Sequence, residues 1–244
     1  MNTHDARFAW WALALVIETV GPIAFYWVPG LGRSTIEEWD VEGAHLSERC
    51  ALFVIIALGE SLLVTGMTFA DRTWDAPTSL GFANAVLGTI LMWWIYFDTG
   101  VKRAAERIEH ARDPGREARS AWTYAHAVIV AGIIVCAVAD EVVIAHPEHA
   151  EGLGLLIVLG GPMLYVLGNT SFKWITNDRR MPPLSHLVGL VLMGLLAWPA
   201  WLHELTPLAL AVLANVVLLI VALWESLALR RVMGTESLVD PDRQ

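Results

Sequence analysis

The segment from His45 to Phe69, HLSERCALFVIIALGESLLVTGMTF, constrains the fold more than any other part of the chain. It is long and apolar enough to cross a bilayer as one helix, because a hydrocarbon core of about 30 Å needs about 20 residues. It nevertheless carries Glu60 near its middle. A carboxylate at that depth is costly unless a partner or water compensates it, so Glu60 marks a candidate functional site.

The composition of the whole chain indicates a membrane protein. Of its 244 residues, 56% are hydrophobic and 17% are charged, which is too apolar and too poor in charge for a soluble domain of this length. Lipid permits only helices or closed barrels, and no alternating pattern typical of a barrel strand occurs. We therefore predict an all-α fold, a polytopic transmembrane helix bundle in one domain (1–232), followed by a short cytoplasmic tail (233–244). The seven predicted spans lie near 8–28, 45–69, 80–97, 121–144, 153–175, 186–202 and 207–229.

The charges of the loops predict the orientation of these spans. The connection between the third and fourth spans is basic, whereas the next connection, AHPEHAEG, has no Lys or Arg. Basic loops stay in the cytoplasm. We therefore expect a multi-pass protein of the bacterial inner membrane with its C-terminus in the cytoplasm and its N-terminus outside. An outside N-terminus without a cleavable signal suggests that an odd number of upstream spans is missing.

Ionisable residues of the first two spans form the first candidate site. Glu18 lies ten residues into its span and Glu60 about ten residues past the inner boundary, so both are expected about 15 Å deep, near the midplane. Arg49 shares the helix face of Glu60, and His45 and Glu48 lie at the inner boundary. His45 and Glu48 alone are too few ligands to predict a metal site.

The fourth span adds a second pair of titratable groups. His126 and Asp140 are fourteen residues apart and therefore lie within about 40° of one face. They are candidates for a proton path, and the alternative is a hydrogen-bonded core histidine with an interfacial acidic cap. In the fifth span, Gly154, Gly161 and Gly168 form a stripe that predicts close packing against another helix.

The run EGAHLSERCALFVIIALGESLLVTG, with Glu48, Arg49, Gly59, Glu60 and Ser61, resembles the signature helix of the bacterial low-temperature-requirement A (LtrA) family. The similarity continues through VPGLGRST upstream, and through TYAHAVIVAGIIVCAVADEVVIAHP and LGGPMLYVLGNTSFK downstream. The resemblance implies a multi-pass inner-membrane protein linked by name to growth in the cold. Family members are usually longer, so the chain resembles the C-terminal part of the family architecture.

Two functions remain open from the sequence. The first is a proton-coupled transporter or channel-like protein that moves protons or a small solute past Glu18 and Glu60. The second is a non-transporting scaffold or stress-adaptation component, in which the same acids connect helices. An enzyme is the weaker expectation, because no catalytic motif or cofactor site is recognisable. Nucleic acid is not an expected partner, since acidic residues interleave the basic loop. The lipid bilayer is the expected partner, and the sequence leaves the oligomeric state open.

Overall fold

The computed structural model describes residues 3–33, 42–98, 118–149, 152–176, 181–202 and 204–239. Within these ranges the chain forms seven helices and no strand beyond an isolated bridge between Val28 and Gly32. Each helix is long and apolar enough to cross a membrane, which confirms the predicted all-α transmembrane bundle. The helices are α1 (Thr3–Ile23), α2 (Gly43–Ala70), α3 (Ala76–Phe97), α4 (a π-helical turn, Ala118–Ala125, continued by His126–Ala145), α5 (Gly152–Thr176), α6 (Leu184–Trp201) and α7 (Pro207–Val239).

The helix bounds differ from the predicted spans mainly at α1 and α7. The predicted first span reached residue 28, but α1 ends at Ile23, just after Pro22. Phe25 and Tyr26 then adopt positive φ angles of 53° and 48°, so the chain leaves the helical path there. At the other terminus α7 continues to Val239, into the part predicted as a tail. The basic loop between the third and fourth spans lies outside the described residues.

Consecutive helices run antiparallel, so the bundle has two ends. We call the end that holds Asp98 and the beginning of α4 the Asp98 end. The opposite end is the Pro147 end, where the N–H of Leu208 donates to the carbonyl oxygen of Pro147 at 3.2 Å. The sequence predicts that the Asp98 end faces the cytoplasm.

The closest helix contact is between α4 and α5, and glycine makes it possible. A Cβ on Gly161 would lie 2.8 Å from the backbone nitrogen of Cys136, and one on Gly168 would lie 2.7 Å from that of Ile129. On the opposite helix, a Cβ on Gly132 would collide with the backbone of Tyr165. Both Gly161 and Gly168 belong to the predicted stripe, whose packing role is therefore confirmed at these two positions.

The buried core lies between α3, α4, α5 and α7. Its largest fully buried side chains include Tyr96, Trp122, Tyr165 and Phe172. Helix α2 packs on α3 and α4, while α6 packs on α5 and α7. Helix α1 stands apart, since none of its residues from Ala6 to Ile23 is buried. A hydrogen bond from the Tyr124 hydroxyl to the carbonyl oxygen of Thr19, at 2.7 Å, joins it to the bundle.

Candidate functional site

A buried charge cluster lies between α5, α6 and α7 near the Asp98 end. Lys173 of α5 is only 2% exposed. Its Nζ donates to Oε2 of Glu225 at 2.7 Å and to the carbonyl oxygen of Ile95 at 2.8 Å. His186 of α6 is fully buried, and its Nε2 lies 3.8 Å from the same Oε2. We call Lys173, His186 and Glu225 the charge cluster.

In the charge cluster, the opposite charges of Lys173 and Glu225 compensate each other. A lysine with no access to water is strongly destabilising unless an anion and further acceptors surround it. Glu225 supplies the anion, and the Ile95 carbonyl at the end of α3 supplies a second acceptor. The Glu225 side chain is 14% exposed. It therefore connects the charge cluster to its surroundings.

His186 has an unused nitrogen. Its Nδ1 lies 3.2 Å from the Ser185 hydroxyl, whereas its Nε2 is buried and has no hydrogen-bond partner within the described ranges. Buried nitrogens are nearly always hydrogen-bonded in folded proteins. The unpaired Nε2 therefore marks a place where a proton, a water molecule or a rearranged Glu225 carboxylate can be accommodated.

Next to the charge cluster, the α7 hydroxyl of Ser226 donates a short hydrogen bond to Asp98 Oδ2 at the end of α3. Asp98 itself is exposed. The carboxylates of Glu225 and Asp98 therefore occupy neighbouring positions at this end of the bundle, one in the interior and one at the surface.

A second polar group surrounds a cavity of about 30 Å³ nearer the Pro147 end. Asp140 of α4 lines it together with Asn84 of α3 and Asn215 of α7. Nδ2 of Asn215 donates to the backbone and side-chain oxygens of Asn84 at 2.8 and 2.9 Å. Asp140 is partly buried and accepts no hydrogen bond from any residue that the structure describes. We call this space the Asp140 cavity.

Polar groups along one face of α5 lie between these two sites. Tyr165, Asn169 and Lys173 recur every four residues and therefore share a face. The Tyr165 hydroxyl donates to the carbonyl oxygen of Met92, a residue that lines the Asp140 cavity. Asn169 Nδ2 donates to the carbonyl oxygen of Tyr165 at 3.0 Å, and its buried Oδ1 has no partner among the described residues. The face spans about 12 Å from Tyr165 to Lys173.

His126, the other predicted group of the fourth span, is a buried and fully bonded histidine. Its Nδ1 lies 3.0 Å from the carbonyl oxygen of Ala121, which can only accept, so Nδ1 carries the proton. Its Nε2 then accepts from the Tyr96 hydroxyl at 2.8 Å. Trp122 stacks on the ring, with centroids 5.3 Å apart. The geometry matches the alternative of a core histidine, about 21 Å along α4 from Asp140.

Glu18 and Glu60, the predicted midplane pair, both lie on outer faces. Glu60 is exposed on α2, beside the exposed Phe53, Ile56 and Leu63. Glu18 is exposed on α1. Neither carboxylate has a hydrogen bond or an ion pair with another residue in the described part of the chain, so the structure does not bring the two together. Their transport role stays a prediction.

The three remaining predicted residues lie near the beginning of α2. His45, Glu48 and Arg49 are all exposed. His45 Nε2 approaches Glu42 Oε2 at 3.7 Å. Within the ranges that the structure describes, no group of three or more His, Cys, Asp or Glu side chains is placed to hold a metal ion.

Sequence reasoning missed the charge cluster. Neither Lys173 nor His186 was among the predicted site residues. The structure joins Glu225 to Lys173 of α5. The signal that could have found Lys173 was the four-residue spacing of Tyr165, Asn169 and Lys173 on one face of α5.

Comparison with known proteins agrees with the resemblance in the sequence. The family model described as bacterial low temperature requirement A protein (LtrA) matches residues 1–223. The uncharacterized protein RA0937 of Rhizobium meliloti (strain 1021) is 41% identical over 233 residues, which cover 94% of this chain and 56% of that protein. The chain therefore spans little more than half the length of this relative. No solved structure matches the chain.

Proposed function

Because the chain belongs to the bacterial low temperature requirement A family and is a multi-pass membrane protein, we propose that it moves protons through the interior of its bundle as a transporter or channel-like protein. The charge cluster exchanges the proton. Asp140 and the polar face of α5 extend the path toward the Pro147 end. The observation that carries the proposal is the unpaired Nε2 of His186, 3.8 Å from a carboxylate oxygen that already holds Lys173.

The cluster can exchange a proton without leaving a bare charge in the bundle. Oε2 of Glu225 lies between the Lys173 ammonium and the His186 imidazole. A proton that reaches the carboxylate can be passed to Nε2 of His186, since the tautomer of the ring adjusts to the hydrogen bond of its other nitrogen. Ionisable groups inside membrane helices generally mark ion pathways or proton relays.

Proteoliposomes with a trapped pH-sensitive dye test the proposal. A potassium diffusion potential drives protons inward, and the wild type should acidify the lumen faster than empty liposomes do. Glu225→Gln should reduce this flux to the level of empty liposomes. Glu141→Gln is the matched control, because Glu141 is an exposed acid of α4, and its flux should equal that of the wild type. Unchanged flux in Glu225→Gln, or no flux in the wild type, contradicts the proposal.

A path past Glu60 is a second candidate route for the same proton movement. Glu60 stays a candidate as an exposed carboxylate on α2, where lipid alone would leave it uncompensated. The same liposome assay separates the two routes. Loss of flux in Glu60→Gln with normal flux in Glu225→Gln would assign the path to the outer face of α2.

A scaffold is the second candidate function, and a specific observation favours it. The Lys173–Glu225 pair joins α5 to α7, and Asn215 joins α7 to α3. Interhelical polar contacts of this kind stabilise membrane bundles without any transport. If the protein is a scaffold, Glu225→Gln should lower its thermal stability, while liposomes with the wild type should conduct no more protons than empty ones.

A further inference from the structure

We infer that the Asp140 cavity is a binding site for one small monovalent cation of the sodium class. The inference concerns binding and does not depend on proton movement through the charge cluster. It rests on oxygen-bearing residues of α4, α5 and α7 that line one small cavity.

The first oxygens are those of Asp140. This carboxylate lines the cavity and accepts no hydrogen bond from the residues that the structure describes. A carboxylate enclosed by apolar helices requires compensation by a cation, a proton or water. The neighbouring cavity walls are apolar, with Ala139, Val143 and Leu218 among the lining residues.

Asn215 supplies a second oxygen. The residue is 8% exposed, and both hydrogen bonds of its amide use Nδ2. One of these bonds goes to a backbone carbonyl, which can only accept a hydrogen bond. The orientation of the amide is therefore fixed, and Oδ1 is the atom that is left to bind a cation. Oδ1 accepts no hydrogen bond within the described chain. It packs over Gly88, where an added Cβ would lie 3.0 Å away.

Pro162 inside α5 leaves a third oxygen without its helical donor. Pro162 lies inside the helix and has no N–H, so the carbonyl oxygen of Val158, four residues earlier, lacks its usual donor. Both Val158 and Pro162 line the cavity. Backbone carbonyl oxygens that lack a helical donor can bind sodium ions and protons in membrane transporters.

The volume of the Asp140 cavity and the charge of its carboxylate limit which ligand can bind. About 30 Å³ accommodates one ion or one water molecule, far below the several hundred Å³ of pockets for organic solutes. Hard cations prefer oxygen ligands of these types. One carboxylate neutralises one positive charge, so a divalent ion would leave an uncompensated charge inside the bundle. Asp140 lies five residues from the end of α4, or about 7.5 Å, which gives the ion a short route from the Pro147 end.

Thermal unfolding of the detergent-purified chain tests the site. Sodium chloride is compared with choline chloride at equal ionic strength, with lithium and potassium chloride as further probes. At saturating sodium the midpoint of the wild type should rise by about 2–4 °C, the shift that about 1 kcal/mol of binding produces in a chain of this size. Binding of radioactive sodium to the same sample should saturate at one ion per chain.

Two variants and a matched control make the test specific. Asp140→Asn should abolish both the sodium-dependent shift and the binding, whereas Glu141→Gln, an exposed acid one residue away, should retain them. Gly88→Ala should weaken sodium binding at least severalfold, because its Cβ displaces Oδ1 of Asn215. If Asp140→Asn does not fold, Gly88→Ala decides the test.

Three outcomes would overturn the assignment: no sodium-specific shift in the wild type, the same shift in Asp140→Asn, or full binding in Gly88→Ala. The first would mean that the cavity holds water or a proton only. Proton flux in liposomes is a separate measurement, so its failure and the failure of sodium binding are distinguishable.

Discussion

The interior of the bundle and the outer faces of α1 and α2 both carry carboxylates, but their surroundings differ. Glu225 is held by a lysine and lies near a histidine, each from a different helix. Glu60 and Glu18 are exposed and have no ion pair among the described residues. Depth along a span therefore does not determine the surroundings of an acid, because the face of the helix decides whether the acid meets protein or lipid.

Lys173→Met should have the largest effect on stability, because it removes the buried ammonium that compensates the partly buried carboxylate of Glu225. Breaking such a pair costs about 3–5 kcal/mol. Thermal or denaturant unfolding in detergent measures the loss. The double variant Lys173→Met/Glu225→Gln should recover most of it, since neither charge remains. Equal losses in the single and double variants would mean that the pair contributes by packing alone.

Gly161→Ala against Gly160→Ala compares the interior of the bundle with its periphery at adjacent positions. The new Cβ on Gly161 would meet the Cys136 backbone at 2.8 Å, whereas the one on Gly160 meets nothing within 4 Å. Overpacking of this kind costs about 1–3 kcal/mol. Gly161→Ala should therefore unfold at a clearly lower temperature, and Gly160→Ala should match the wild type. Equal midpoints would show that α4 and α5 separate easily.

Asp75 represents a third kind of carboxylate, exposed but bonded. It caps α3, and its Oδ1 accepts from the backbone N–H of Thr78 at 2.9 Å. This hydrogen bond lowers the pKa of the Asp75 carboxyl. The stabilisation is therefore complete above the unfolded value of about 3.9 and is lost as the pH falls through the lower folded value.

Asp75→Ala should lower the unfolding midpoint by less than Gly161→Ala does, and the difference from the wild type should shrink in acid. Asp75→Asn retains a capping oxygen and is the control. It should match the wild type at acidic pH. A loss in Asp75→Ala that is independent of pH would contradict the role of the ionised cap.

Glu60→Gln should have the smallest effect on stability. An exposed side chain without a partner contributes within about 0.5 kcal/mol. The unfolding midpoint in detergent should therefore stay within error of the wild type. Leu63→Gln on the same outer face is a suitable control, since Leu63 is also exposed. A large destabilisation by Glu60→Gln would show that this face is covered in the folded protein.

Much of the fold was predictable, because membrane helices are determined by local composition. All seven predicted spans begin within five residues of the observed helices, since apolar length alone specifies them. Close helix packing along the stripe that contains Gly161 and Gly168 was also predicted from the sequence. The end of α1 was misplaced because the span was extended past Pro22 to the next loop signal.

The candidate site was less predictable, because it depends on which helices become neighbours. Lys173, His186 and Glu225 come from three helices, and no local pattern joins them. Asp140 was a predicted candidate, but His126, the residue predicted to share its path, lies at the other end of α4. The residues that surround Asp140, Asn84 and Asn215, are 131 positions apart.

The glycine contacts between α4 and α5 have a mechanical consequence. The two backbones approach so closely at Gly132, Gly161 and Gly168 that little side chain lies between them to rearrange, so we expect the two helices to move as one body. Asp140 belongs to one of these helices and Lys173 to the other. Their separation is thereby held constant, and any opening or closing of the bundle takes place where α2, α3, α6 or α7 slides against this pair.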